Sequence, residues 1–342
     1  MIIKQVGQDR LNAWVDVLAK QHYVFGIQAK DSRFAFGPLR RAADLRLDYD
    51  VSMLSPKKYF QPLQETIVRF TTASSSFEPV VEDEPFVLLG VHPYDVTAIS
   101  QMDAVFSADN ADVHYLTRRQ SATIIAADIQ TASANVFASC MGTATVQSGF
   151  DILLTKVGDQ YVVDARTEKG FALMDPLADA PEASEAALAR REQFWEDARK
   201  LFVRHQLKCE PQDLPDLLGH SYEHPLWNER AARCFSCGSC TMVCPTCYCF
   251  NVEDEVAWDL NNGQRIRKWD SCQLHDFAEV AGGHNFRKHL EERFRHRFYR
   301  KGKYLWERSK HIACVGCGRC ITACPAKIAN PVEVYNTLLE DR

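Results

Sequence analysis

The chain has 342 residues, 46% of them hydrophobic, and a formal net charge of −5. That length supports two domains with separate cores. The mild acidity argues against a nucleic-acid binder, and no apolar run reaches the roughly 20 residues of a membrane span.

Residues 9–20 read as a helix. A hairpin follows, because His22-Tyr-Val-Phe-Gly-Ile-Gln28 and Phe34-Ala-Phe36 are aromatic and β-branched, with a turn at Lys30-Asp31-Ser32. Ser55-Pro56-Lys57-Lys58-Tyr59-Phe60 reads as a helix start or turn, and 71–83, with its serine run and Pro79, as a loop. The apolar runs Phe86-Val-Leu-Leu-Gly-Val91 and Ala122-Thr-Ile-Ile-Ala-Ala127 suit buried strands. Between them Pro93 suits a first helical turn, and Val96, Ile99, Met102 and Phe106 recur at helical spacing. Residues 150–156 and 160–164 flank Val157-Gly158-Asp159 as a second hairpin. Cys140 reads as a small buried residue. Residues 174–185 read as a linker. Leu188, Trp195, Ala198 and Phe202 then mark an amphipathic helix.

The C-terminal part carries twelve of the thirteen cysteines. Cys234-Phe-Ser-Cys237-Gly-Ser-Cys240-Thr-Met-Val-Cys244-Pro245 and Cys314-Val-Gly-Cys317-Gly-Arg-Cys320-Ile-Thr-Ala-Cys324-Pro325 share one spacing. It is the C-x₂-C-x₂-C-x₃-C-P run of two-cluster ferredoxins. Two-residue gaps let a tight loop wrap three thiolates around one cube, helped by Gly238, Gly316 and Gly318. In such ferredoxins the fourth cysteine ligates the other cluster. One 4Fe–4S cluster is therefore expected on Cys234, Cys237, Cys240 and Cys324, and a second on Cys314, Cys317, Cys320 and Cys244. The competing chemistry is a zinc-stabilised scaffold, for which a duplicated triple-cysteine run has no use.

Between the runs, 252–260, 274–280 and 285–306 read as helices, with Gly282-Gly283 as a break. The insert ends in a basic stretch, Arg287, Lys288, Arg293, Arg295, Arg297, Arg300, Lys301, Lys303, Arg308 and Lys310, against only Glu291, Glu292 and Glu307. Its readings are a solvated face, a docking surface for an acidic partner, or a tuning charge beside the clusters. Cys247, Cys249 and Cys272 read as thiols packed near a cluster. As ligands of a third site they would need a fourth, for which Asp270 or His275 qualifies. The expected fold is α+β: a mixed α/β partner-binding domain over 1–180, then a mostly helical two-cluster domain over 181–342.

The words around the cysteines carry a family resemblance. Cys234 to Phe250, Trp269-Asp-Ser-Cys272, Ala281-Gly-Gly-His-Asn-Phe-Arg287 and Cys314 to Cys320 resemble the iron–sulfur beta subunit of cytosolic NiFe sulfhydrogenases. They also resemble the related iron–sulfur component of anaerobic sulfite reductase. Ser55 to Phe60, Gly90-Val-His-Pro-Tyr-Asp-Val96 and Ser148-Gly-Phe-Asp151 extend the likeness over nearly the full chain. The resemblance implies a relay between a catalytic partner, holding NiFe or sirohaem, and a flavin/NAD(P)-binding subunit. This chain shows no flavin fingerprint and no catalytic set of its own. The first residues carry charges where an apolar leader core would be, so a reducing cytoplasm is the expected compartment.

Overall fold

The computed structural model describes residues 1–198, 200, 202 and 204–341. The chain opens with β1 (Ile2–Gly7) and α1 (Gln8–Gln21), which buries Leu11, Trp14, Val15 and Leu18 on one face. β2 (Val24–Lys30) and β3 (Arg33–Pro38) form the expected hairpin. β4 (Gln64–Thr71) and β5 (Ser76–Pro79) form another where the sequence reads as a loop. The βαβ unit is present as β6 (Phe86–Val91), α2 (Pro93–Ser107), α3 (Val113–Ser121) and β7 (Ala122–Ala127), with the strands parallel. β8 (Ile152–Val157) and β9 (Gln160–Ala165) pair antiparallel.

Seven of these strands make one sheet, in the order β1-β9-β8-β7-β6-β2-β3. Its centre, from β2 to β8, is parallel, and an antiparallel strand closes each end. Both faces are covered. Leu88, Ile124 and Leu153 pack with α2, while Leu89, Ile125 and Leu154 pack with α1. Burial on both sides is why these strands are unbroken apolar runs.

Residues 174–185 are not a free linker. Leu177 and Ala180 are buried, the Gln5 N–H donates to the Pro181 carbonyl, and the Ala183 N–H donates to that of Ile3. After α4 (Glu168–Ala172), α5 (Glu185–Ala198) lies on β8 and β9. It buries Trp195, whose Nε1 donates to the Asp128 carboxylate at 2.8 Å.

The cysteine-bearing part follows. It contains α6 (Leu214–His220), α7 (Leu226–Ala231), α8 (Ser239–Met242), β10 (Phe250–Val256) and β11 (Asn262–Trp269). Then come α9 (Leu290–Tyr299), a π-helical turn (Arg300–Tyr304), α10 (Leu305–Ser309), α11 (Arg319–Ala323) and α12 (Pro331–Glu340). α6, α7, α9 and α12 share a core around Trp227 and Phe298.

Two expected helices are absent. Residues 274–280 hold only the 3₁₀ turn Asp276–Ala278. Residues 252–256 belong to β10, which with β11 joins the earlier hairpin in a four-stranded antiparallel sheet ordered β10-β11-β4-β5. Cross-strand charge pairs suit this better than a helix: Arg265 meets Asp254 at 2.7 Å and Lys268 meets Glu253 at 2.6 Å. Arg267 is buried and meets Glu65 of β4 at 2.7 Å. The fold is thus α+β, with the cysteine part helical apart from this hairpin.

Candidate metal centres

The two cysteine loops have the same backbone path. In the first, Ser236 and Gly238 take positive φ, 53° and 73°, before α8 begins at Ser239. In the second, Gly316 and Gly318 do so, at 64° and 71°, before α11 begins at Arg319. Left-handed residues at alternate positions turn the chain around a point. α8 and α11 pack against each other, which sets the loops side by side.

That placement exchanges the fourth cysteines. One cavity is lined by Cys234, Cys237, Cys240 and Cys324. A second is lined by Cys314, Cys317, Cys320 and Cys244. The structure thus gathers the eight cysteines into the two quartets expected from their spacing. Among the described residues, no three cysteine sulfurs lie within 4.8 Å of one another. Tetrahedral zinc thiolates would lie ~3.8 Å apart, given Zn–S bonds of about 2.3 Å. A cubane spreads its thiolates wider, so the residues fit a cluster better than a single ion.

The second loop is seated on the N-terminal half. The Phe137 N–H donates to the Gly316 carbonyl at 2.8 Å. A Cβ on Gly318 would sit 2.1 Å from the Asn135 carbonyl oxygen, so only glycine allows this approach. Arg319, fully buried, donates to both oxygens of Asp95 at 2.7 and 2.6 Å and to the Ser52 carbonyl at 2.9 Å. Asp95 comes from the Gly90 to Val96 word that carries the resemblance, and it also accepts from the hydroxyl of Ser55, which opens the Ser55 to Phe60 word, at 3.4 Å. The first loop sits nearer the surface, where Cys237 is exposed.

Three residues of the basic stretch point inward, while Lys288, Arg308 and Lys310 stay exposed. Arg293, Arg297 and Lys301 are 5%, 2% and 4% exposed, which removes them from any docking face. Arg293 donates to the Ser236 hydroxyl at 3.3 Å and caps the first loop. Arg297 and Lys301 line the second cavity. Arg297 donates to the Cys240 carbonyl at 3.4 Å, while its Nε and Nη1 have no hydrogen-bond partner. Burial pushes the Cys240 thiol up to about 12, and Arg297 opposes that rise. Burial likewise pushes Cys317 up to about 12, with Arg319 opposing. A bound metal would hold these thiols deprotonated.

Cys247, Cys249 and Cys272 line a further cavity together with His296, Arg297 and Lys301. Lys57, from the Ser55 to Phe60 word, is buried here. It donates to the Cys247 carbonyl and lies 4.1 Å from the Trp269 ring centre. Burial pushes its ammonium down to about 8. The fourth-ligand candidates named from sequence are elsewhere. Asp270 accepts from the Ser271 N–H at 2.6 Å, and His275 is exposed and bonded to Asp276. His296 lines the cavity instead, and burial pushes it down to about 4, leaving a neutral imidazole. Nothing in the sequence marks His296, because its inward aim depends on how α9 packs.

Residues 233–328 match the family described as a 4Fe-4S dicluster domain. Over 319 residues the chain is 33% identical to the sulfhydrogenase 2 subunit beta of Pyrococcus furiosus, a match covering 93% of this chain and 92% of that relative. Among the described residues, no helix is long and apolar enough to cross a membrane.

Proposed function

Because the chain belongs to the family of sulfhydrogenase beta subunits, we propose that it is an electron-transfer subunit with two 4Fe–4S clusters. It relays electrons between a NiFe catalytic module and a flavin/NAD(P)-binding subunit in the cytoplasm. The observation that carries this reading is the pair of cavities, each lined by three cysteines of one loop and the last cysteine of the other. The proposed ligands follow: Cys234, Cys237, Cys240 and Cys324 for one cluster, and Cys314, Cys317, Cys320 and Cys244 for the other. Clusters bound there would supply one-electron storage.

The chain's own residues supply the rest. The paired loops fix the two sites side by side. Buried Arg297 and Lys301 place positive charge where electrons would be held. Phe137 of the N-terminal half and Tyr335 shield the second site, while exposed Cys237 leaves the first open to a partner. The proposed domains are 1–180 for partner binding and 181–342 for the clusters.

The test is Cys244→Ser. Electron paramagnetic resonance of the reduced variant should show the second-loop cluster lost or altered and the first intact. Loss of the first-loop cluster alone would refute the exchanged ligation. The relay itself fails if a complex lacking this subunit transfers electrons at full rate.

A further inference from the structure

We infer that a third iron–sulfur cluster occupies the cavity lined by Cys247, Cys249 and Cys272, with the His296 imidazole as its fourth ligand. This goes beyond the two-cluster relay, and it rests on that reading in taking the chain to be an iron–sulfur protein.

Space is the first argument. The cavity holds about 20 Å³, the same as each of the two cysteine quartets. Sulfur spacing is the second. Cys249 and Cys272 are in side-chain contact while Cys247 lies further off, beside Cys244, so no three thiols gather within the 4.8 Å that one small ion would need.

Charge is the third. Lys57, Arg297 and Lys301 are all buried around these cysteines. Among the described residues, none of the three forms an ion pair with a carboxylate. Lys57 reaches only a carbonyl and a ring face, Lys301 donates to the Thr246 hydroxyl at 2.7 Å, and Arg297 keeps two nitrogens without partners. A buried cation left uncompensated is costly. Arg297 and Lys301 line both this cavity and the second quartet, and Lys57 bonds the Cys247 carbonyl with Cys244 also near it. A thiolate-bound cluster is anionic and would compensate all three. Cys249 and Cys272 arrive together because the Asp270 N–H donates to the Cys249 carbonyl at 3.0 Å, which joins the ends of the β10–β11 hairpin.

His296 is the cavity-lining side chain besides the cysteines with a metal-binding nitrogen. A histidine in place of cysteine raises a cluster's potential, as in Rieske centres.

The experiment is iron and sulfide analysis of the full chain purified without oxygen, with redox-titrated electron paramagnetic resonance. The wild type should hold about twelve irons, three cubanes' worth. Cys272→Ala and Cys249→Ala should each fall to about eight irons while keeping the two quartet signals, which also shows that they fold. Cys209→Ala, outside the cavity, should stay at twelve. His296→Cys should keep its iron and lower the potential of the third cluster. A wild type at about eight irons, unchanged in Cys272→Ala, overturns the third cluster and leaves the relay standing. A wild type without iron overturns both. An unchanged potential in His296→Cys overturns the histidine assignment.

Discussion

At the scale of single residues, the decisive groups are buried charges. Arg297 lies between the cysteine cavities with part of its guanidinium unpartnered. A fixed positive charge favours the reduced, more negative state of a neighbouring cluster. Arg297→Met should therefore lower the potential of the second-loop cluster by on the order of 100 mV, the work of one nearby unit charge. A redox titration within a few millivolts of the wild type would refute this. Asp128 is a buried charge of the opposite sign, in the N-terminal sheet. Burial pushes its carboxyl up to about 6, against the bonds from Thr155 and Trp195. A raised folded-state pKa means the native state holds the proton more tightly than the unfolded chain. The resulting stability is present below about pH 4 and is lost as pH rises to about 6, a span of about 3 kcal/mol. Asp128→Asn should remove that slope. Thermal unfolding across this range, followed by tryptophan fluorescence, would show it. The eight quartet cysteines were legible because ligand spacing is a local property of the chain. The inward aim of Arg293, Arg297 and Lys301 was not. Charged residues favour the surface, and the π-helical turn Arg300–Tyr304 shifts the helical phase that a regular period would assume.

At the scale of elements, α11 and α2 are locked by Arg319 and Asp95, both fully buried. Removing one partner strands the other charge. Arg319→Ala and Asp95→Ala should each destabilise the protein by about 3–5 kcal/mol. The double variant should cost less than the sum, because no lone charge remains. Chemical denaturation of the four proteins closes this cycle, and simple additivity would sink the idea. The βαβ unit and two hairpins were readable from apolar runs and turn residues. The β10–β11 hairpin was not. Val252-Glu-Asp-Glu-Val256 has a helix-compatible composition, and only pairing with β4, far away in sequence, makes it a strand. The same applies to 174–185, whose prolines and acids suggest a linker until Leu177 and Ala180 find the sheet's apolar edge.

At the scale of the whole molecule, the stitches between the halves include the mixed-origin sheet, the Gly316–Gly318 seat, the Arg319–Asp95 pair, and Lys57 beside Cys247. Neither half therefore presents a finished surface without the other. A fragment ending at residue 198 would keep the seven-stranded sheet but expose the edge of β4 that β11 covers. It should aggregate on expression, whereas the full chain should not; light scattering distinguishes them. The same pairing sets a timetable for biosynthesis. Thr71 meets Asn262 only after 191 further residues have been made, an interval of about 10–40 s at typical ribosomal speeds of roughly 5–20 residues per second. During that interval an unpaired strand edge stands open on the nascent chain, a natural hold for a chaperone. The second cysteine loop leaves the ribosome only after that edge can close, so iron delivery comes last.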